Sequence, residues 1–161
     1  MRQKCAPGRI RAPHLATLAQ DMTAPPVMST DELQQFLADA FPSAVVPYVV
    51  EGINGTGIRV RLRVGETDSR PGGTVTGPSL MALADSAAWL AIVGQIGPVA
   101  LSVTTSLHID FLRKPALVDV VAIGTLLKLG KRLAVVEVAM YSVGSEDVVA
   151  KAQVTYSIPP R

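Results

Sequence analysis

The stretch Gly77-Pro78-Ser79-Leu80-Met81-Ala82-Leu83-Ala84-Asp85-Ser86-Ala87-Ala88-Trp89-Leu90-Ala91-Ile92-Val93 constrains the fold more than any other part of the chain. It reads as a helix that is apolar on every side, so it has no face for water and must lie inside a core. A Gly/Pro-rich segment, Pro71 to Pro78, leads into it, and four long β-branched segments follow it. A sheet that curves around one helix is the arrangement that encloses it. Asp85 is the one formally charged side chain between Arg70 and Asp110. A carboxylate in apolar surroundings is disfavoured by on the order of several kcal/mol unless it has a partner or a task.

The chain has 161 residues, 48% of them hydrophobic, which suffices for one domain with a real core and excludes disorder throughout. No uncharged apolar stretch of about eighteen residues stands as a membrane span, because residues 80–93 are too few and include Asp85. A net charge of +2, with three Phe, three Tyr and one Trp, argues against nucleic acid as a partner. The single cysteine, Cys5, excludes an intrachain disulfide, and His14 and His108 leave little from which to build a zinc site. This chemistry is that of a reduced, soluble, cytoplasmic protein without a metal. Residues 1–20 carry Arg2, Lys4, Arg9 and Arg11 with no acid before Asp21, and lack the apolar core of a signal peptide. Residues 1–28 therefore read as a tail, or as an extension upstream of a start at Met22 or Met28, ahead of a single domain over 29–161.

Ser29-Thr30-Asp31-Glu32, followed by Leu33, Phe36, Leu37 and Phe41, predicts a capped amphipathic helix of about ten residues ended by Pro42. Residues 45–53 and 58–64 are strand candidates joined through Asn54-Gly55-Thr56-Gly57, which is hairpin chemistry. In the second of them Ile58, Val60, Leu62 and Val64 alternate with Arg59, Arg61 and Arg63, giving one face to the core and one to water. Residues 66–76 read as loop, and the apolar helix runs to about Val93, stopped by Gly94 and Gly97-Pro98. Strand candidates follow at 100–112, 118–127, 133–141 and 148–158, with connections through Pro115, Gly130-Lys131 and Gly144-Ser145 that are short enough for antiparallel neighbours. The order predicts an α+β domain in which an antiparallel sheet wraps one long central helix beside a short N-terminal one.

Three motifs in this order resemble the hotdog fold of the acyl-CoA thioesterases, in the branch of the phenylacetic-acid-pathway and hydroxybenzoyl-CoA thioesterases. Gly77-Pro78-Ser79-Leu80-Met81-Ala82-Leu83-Ala84-Asp85 resembles the branch's helix, which opens with His-Gly-Gly and reaches its acid as Leu-Ala-Asp. His108-Ile109-Asp110-Phe111-Leu112-Arg113-Lys114-Pro115 is similar to its strand ending in Phe-Leu-Arg-Pro, and Leu129-Gly130-Lys131-Arg132-Leu133 to its Gly-Lys/Arg turn. The resemblance covers about residues 45 to 158. It implies hydrolysis of an acyl-CoA to a free acid and coenzyme A, with coenzyme A as part of the substrate and no separate cofactor. It also implies sites at the subunit interface of a homodimer, assembled further as a dimer of dimers.

Read as a residue, Asp85 is either a buried Asp held by backbone or Ser/Thr donors, or a carboxylate that activates water or attacks directly at a thioester carbonyl. The resemblance places the catalytic acid there. Gly77 stands at the helix N-terminus, where free N–H groups and the positive dipole end suit a developing oxyanion, and Pro78 fits the first helical turn. Gly77 and Asp85 are eight residues apart, about 12 Å along a helix, so one carbonyl cannot be served by both from one chain. That spacing predicts two helices facing across a dimer with two equivalent sites.

The sequence departs from the branch at three places: its His is Thr76 here, its second Gly is Pro78, and its upstream Asn is replaced by Arg70. Thr76 offers a hydroxyl and Arg70 an anion-binding group. Thr104 matches a Ser or Thr that positions water in the branch; as a residue it is also an ordinary strand former. Arg113, Lys114, Lys128, Lys131 and Arg132 fall at strand ends and turns, where they suit either coenzyme A phosphates or a soluble surface. Met81 and Trp89 are expected to set the depth of the acyl pocket. His108, between Leu107 and Ile109, reads as a sheet residue with no acid announced beside it. An acyl-CoA thioesterase is the leading expectation; a non-catalytic module binding acyl-CoA or a protein, and a hydratase or dehydratase using His108, are its rivals.

Overall fold

A computed structural model describes residues 25–42 and 46–160. The basic N-terminal stretch, with Cys5, His14 and Met22, lies outside them. Helix α1 (Thr30–Ala40) is started by a capping box in which the Ser29 hydroxyl accepts from the Glu32 N–H and the Glu32 carboxylate accepts from the Ser29 N–H. Leu33 and Leu37, one turn apart, bury its inner stripe. Val27 and Met28, which composition groups with the tail, both donate backbone N–H groups to the Gly94 carbonyl, and Met28 packs into the core.

Strands β1 (Tyr48–Ile53) and β2 (Gly57–Leu62) form the expected hairpin, with Asn54 Oδ1 accepting from the N–H groups of Thr56 and Gly57. Ile58, Val60 and Leu62 are buried. On the opposite face, Arg59 and Arg61 both pair with Glu51 across the hairpin. The segment expected to be a plain loop holds a 3-10 turn (Glu66–Asp68) and a two-residue hairpin, β3 (Ser69–Arg70) and β4 (Thr74–Val75). Gly72 and Gly73 supply the positive φ, 97° and 66°, that this tight reversal requires. A bridge between Thr74 and Ala116 ties it to the rest of the molecule.

Helix α2 (Gly77–Ile96) is 20 residues long, which by length and composition is enough to cross a membrane, whereas the sequence suggested a shorter run. It lies inside the domain, with Leu83, Ala84, Ala87, Leu90 and Ile92 wholly inaccessible. It does not stop at Gly94. A Cβ at that position would collide with Ile53 Cδ1, so this glycine permits close approach by β1. The cap is Gly97, at φ 89°, whose N–H returns to the Val93 carbonyl.

Strands β5 (Val103–Phe111), β6 (Val120–Leu129), β7 (Leu133–Ser142) and β8 (Val148–Ser157) complete a six-stranded antiparallel sheet in the order β1-β2-β6-β7-β8-β5. Alternating inward residues, among them Ala134, Val136, Val138 and Met140 of β7, close over α2. At one edge β5 pairs with β8 alone, leaving its other side unpaired among the described residues.

Candidate active site

Asp85 sits midway along α2 where the helix passes beneath the joined ends of β5 and β8. Register pairs Thr104 with Tyr156, and both hydroxyls converge on one oxygen: Thr104 donates to Asp85 Oδ1 at 2.7 Å and Tyr156 at 2.8 Å. Asp85 is half-buried rather than sealed, and its immediate neighbours are not purely apolar, as the helix sequence alone implied. Oδ1 is occupied by these two donors, while Oδ2 accepts no hydrogen bond from the described residues. Burial raises the Tyr156 phenol well above the ordinary tyrosine range; the negative charge of Asp85 adds to this, while the hydrogen bond with Thr104 opposes it. Tyr156 therefore stays a donor throughout the neutral and mildly alkaline range. The cavity around Asp85 is walled by Phe41, Trp89, Val103 and Ser102, whose buried hydroxyl has no partner among the described residues.

The start of α2 faces a different cavity. Thr76 is the N-cap: its Oγ1 accepts from the Ser79 N–H at 3.2 Å. Ser79 gives its one hydroxyl proton to Asp68 Oδ1, so Thr76 donates to Ser79 Oγ at 2.7 Å and its own proton is committed there. With Ser79 engaged and Pro78 lacking an N–H, the Gly77 N–H is the donor left free at this helix end among the described residues. Phe111 lies against Gly77, where a Cβ would come 3.4 Å from the ring. Arg70, Pro78, Arg113 and Lys114 line the same cavity.

One chain thus carries two separate cavities, one at Asp85 and one at Gly77. Gly77 and Asp85 are about 12 Å apart along α2, and Thr104 and Phe111 lie about 23 Å apart along β5. Met81 is exposed and lines neither cavity. Lys128, Lys131 and Arg132 cluster at the β6–β7 turn, which register places at the Asp85 end of the sheet, since Leu129 pairs with Ala134 and Ala134 with Tyr156. His108 does have an acid beside it: Nε2 is 3.4 Å from Asp110 Oδ2, two residues along the same face of β5. Both side chains are largely exposed and neither lines a cavity that holds Asp85 or Gly77.

Tyr156, Asp68 and Ser79 were missed by sequence reasoning. Tyr156 is an inward residue of an ordinary alternating strand, and only the pairing of β5 with β8 brings it to Asp85. The Asp68–Ser79 contact spans 11 residues through an irregular segment that carries no periodic signal.

A family model described as the thioesterase superfamily matches residues 72–149, which include Gly77, Asp85 and Thr104 but not Arg70 or Tyr156. Among solved structures, a candidate thioesterase of Silicibacter sp. is 40% identical with a TM-score of 0.78, over 84% of this chain and 94% of that one. Zebra fish thioesterase superfamily member 2 aligns at 16% identity and a TM-score of 0.72, over 82% of this chain and 99% of that one. A Haemophilus influenzae thioesterase aligns at 18% and 0.70, over 83% and 92%. The last two show the shared fold. No curated protein matches the chain.

Proposed function

Because the chain belongs to the thioesterase superfamily, we propose that it hydrolyses an acyl-CoA thioester in sites shared between two subunits. The observation that carries this reading is the asymmetric Asp85 carboxylate, with two hydroxyl donors on Oδ1 and none on Oδ2. Thr104 and Tyr156 fix its orientation. Oδ2 takes a proton from water as that water attacks the thioester carbonyl, or attacks the carbonyl itself. The oxyanion that develops is met by the Gly77 N–H and the positive end of α2 from the other subunit. Collapse of the tetrahedral species expels the coenzyme A thiolate, which on the water route takes the proton that Asp85 removed. On the direct route an Asp85 acyl anhydride is left, and water hydrolyses it to the free acid and supplies the thiolate's proton.

The unpaired side of β5 supports the shared site. Val103 (58% exposed) and Phe111 (53%) stand near its two ends. Antiparallel pairing of β5 with a copy of itself, about an axis at His108, sets the bulge at Thr104 and Thr105 of one chain beside Phe111 of the other. That brings the Asp85 cavity against the Gly77 cavity, which one chain holds far apart. The basic β6–β7 turn lies at the same rim and suits the phosphates of coenzyme A.

A panel of acyl-CoA thioesters with free-thiol detection tests the reaction. Asp85→Asn is expected to remain folded and dimeric and to lower kcat at least about 100-fold, the scale of a lost general base or nucleophile. Turnover equal to wild type in that variant removes Asp85 from the mechanism. A wild-type protein that releases no thiol from any thioester, yet binds acyl-CoA, is instead the non-catalytic module.

A further inference from the structure

The cavity at the start of α2 is unusual in its charge. Arg70 enters from the β3–β4 hairpin, Lys114 and Arg113 from the segment after β5, and no acidic residue lines it. Arg113 is partly used, since its Nη1 donates to the Val148 carbonyl at 2.9 Å and its Nε lies 3.7 Å from Asp147. The side chains of Arg70 and Lys114 make no hydrogen bond or ion pair with the described residues. The hairpin that presents Arg70 is held in place at both ends. The Asp68 carbonyl accepts from the Thr76 N–H, and Thr74 bridges to Ala116, so the two cation-bearing walls are stitched together. Like charges that line one cavity, with no acid of their own chain beside them, repel one another, and an anion between them relieves that repulsion.

The position of this anion follows from the reading of Gly77 given above, on which the inference rests. With the thioester carbonyl at the Gly77 N–H, a group reaching Arg70 in the same cavity is only a few bonds from that carbonyl. In coenzyme A the nearest phosphorus is about fourteen bonds from the thioester carbon, on the order of 15 Å when the arm is extended. A carboxylate at the far end of a short acyl chain meets the distance. We infer that this cavity is a carboxylate subsite, and that the protein's substrates are short ω-carboxyacyl thioesters.

The test compares succinyl-CoA with butyryl-CoA, and glutaryl-CoA with valeryl-CoA, pairs that match in chain length and differ in the terminal charge. The carboxylated member is expected to have a kcat/KM about tenfold higher, with the advantage shrinking as salt is raised. In Arg70→Gln/Lys114→Gln the ratio is expected to fall to near one. Repeating the comparison with N-acetylcysteamine thioesters, which carry no phosphate, is expected to preserve the wild-type preference. A double variant that weakens both members of each pair equally, and only when coenzyme A is the carrier, assigns the cations to phosphates and overturns the inference. Calorimetric titration of Asp85→Asn with the same ligands separates this question from hydrolysis. Tighter binding of succinyl-CoA than butyryl-CoA by a protein whose wild type turns over neither keeps the subsite and removes the hydrolase reading. Equal affinities remove the subsite.

Discussion

At Asp85 the two carboxylate oxygens have different surroundings, and the difference sets how the group can act. Oδ1 is held by Thr104 and Tyr156, so its lone pairs are directed into the protein; Oδ2 is left to face the cavity. Tyr156→Phe removes one of these donors while keeping the buried ring. The expected result is a loss of roughly tenfold in kcat with little change in KM, the scale of one hydrogen bond to a charged group, measured by steady-state kinetics. The same phenol makes a prediction about stability. Its ordinary value is 10.0, and burial raises it in the folded protein. Below pH 10 both folded and unfolded chains keep the proton and nothing is lost. Above it the unfolded chain releases the proton first, so stability declines as pH rises towards the folded value. Denaturant titrations between pH 9 and 11 should show this decline, and Tyr156→Phe should make it shallower. Tyr48, also raised by burial, leaves part of the slope in the variant.

At the scale of elements, α2 holds one glycine near its end and is capped by another, with opposite reasons for being there. Gly94 is buried inside the helix and has no room for a side chain, with Leu33 Cδ1 3.3 Å from where a Cβ would stand and Ile53 closer still. Gly97 has open space around it and a φ of 89°, which side chains rarely adopt. Gly94→Ala displaces the Ile53 Cδ1 methyl and crowds Leu33, and is expected to cost about 1–3 kcal/mol, as overpacking does. Gly97→Ala strains the backbone alone, at about 1–3 kcal/mol, because φ 89° with ψ −176° is a conformation that only glycine adopts readily. Thermal melts should show both variants below wild type; a Gly94→Ala protein as stable as wild type means that the packing of β1 on α2 is looser than described.

For the whole molecule, the separation of Gly77 from Asp85 is what the proposed shared site turns on. Asp85→Asn removes one half of each site, and Gly77→Val blocks the other by pushing a branched side chain against Phe111. In a heterodimer of the two variants one site carries both lesions and the other neither. Co-expression of the two inactive chains should recover up to about half of the wild-type activity per heterodimer, provided that each variant alone is dimeric. Verified heterodimers as inactive as their parents exclude a shared site. The ordered start of the domain is a second property of the whole: a chain beginning at Ser29 loses the two bonds to the Gly94 carbonyl and the burial of Met28. It should melt below one beginning at Pro25.

The sequence by itself determined the elements and their order, because local physics writes them in period and punctuation. An all-round apolar helix, alternating strands and Asn/Gly turns each carry their signal within a dozen residues. It also singled out Asp85, since a lone acid in an apolar run is conspicuous without any structure. What it left to the tertiary structure are contacts between residues far apart in the chain. Tyr156 meets Asp85 from 71 positions away and Thr104 from 19, through a strand register that no local pattern encodes. Gly94 looks like a helix stop in sequence and is a packing glycine in space, because the atom that forbids a side chain belongs to Ile53. Arg70 and Lys114 face one cavity only because a two-residue hairpin, too short to show a period, is bridged to the segment after β5. Periodicity reports which way a residue faces along its own element; which residues it then meets is set by how the elements pack.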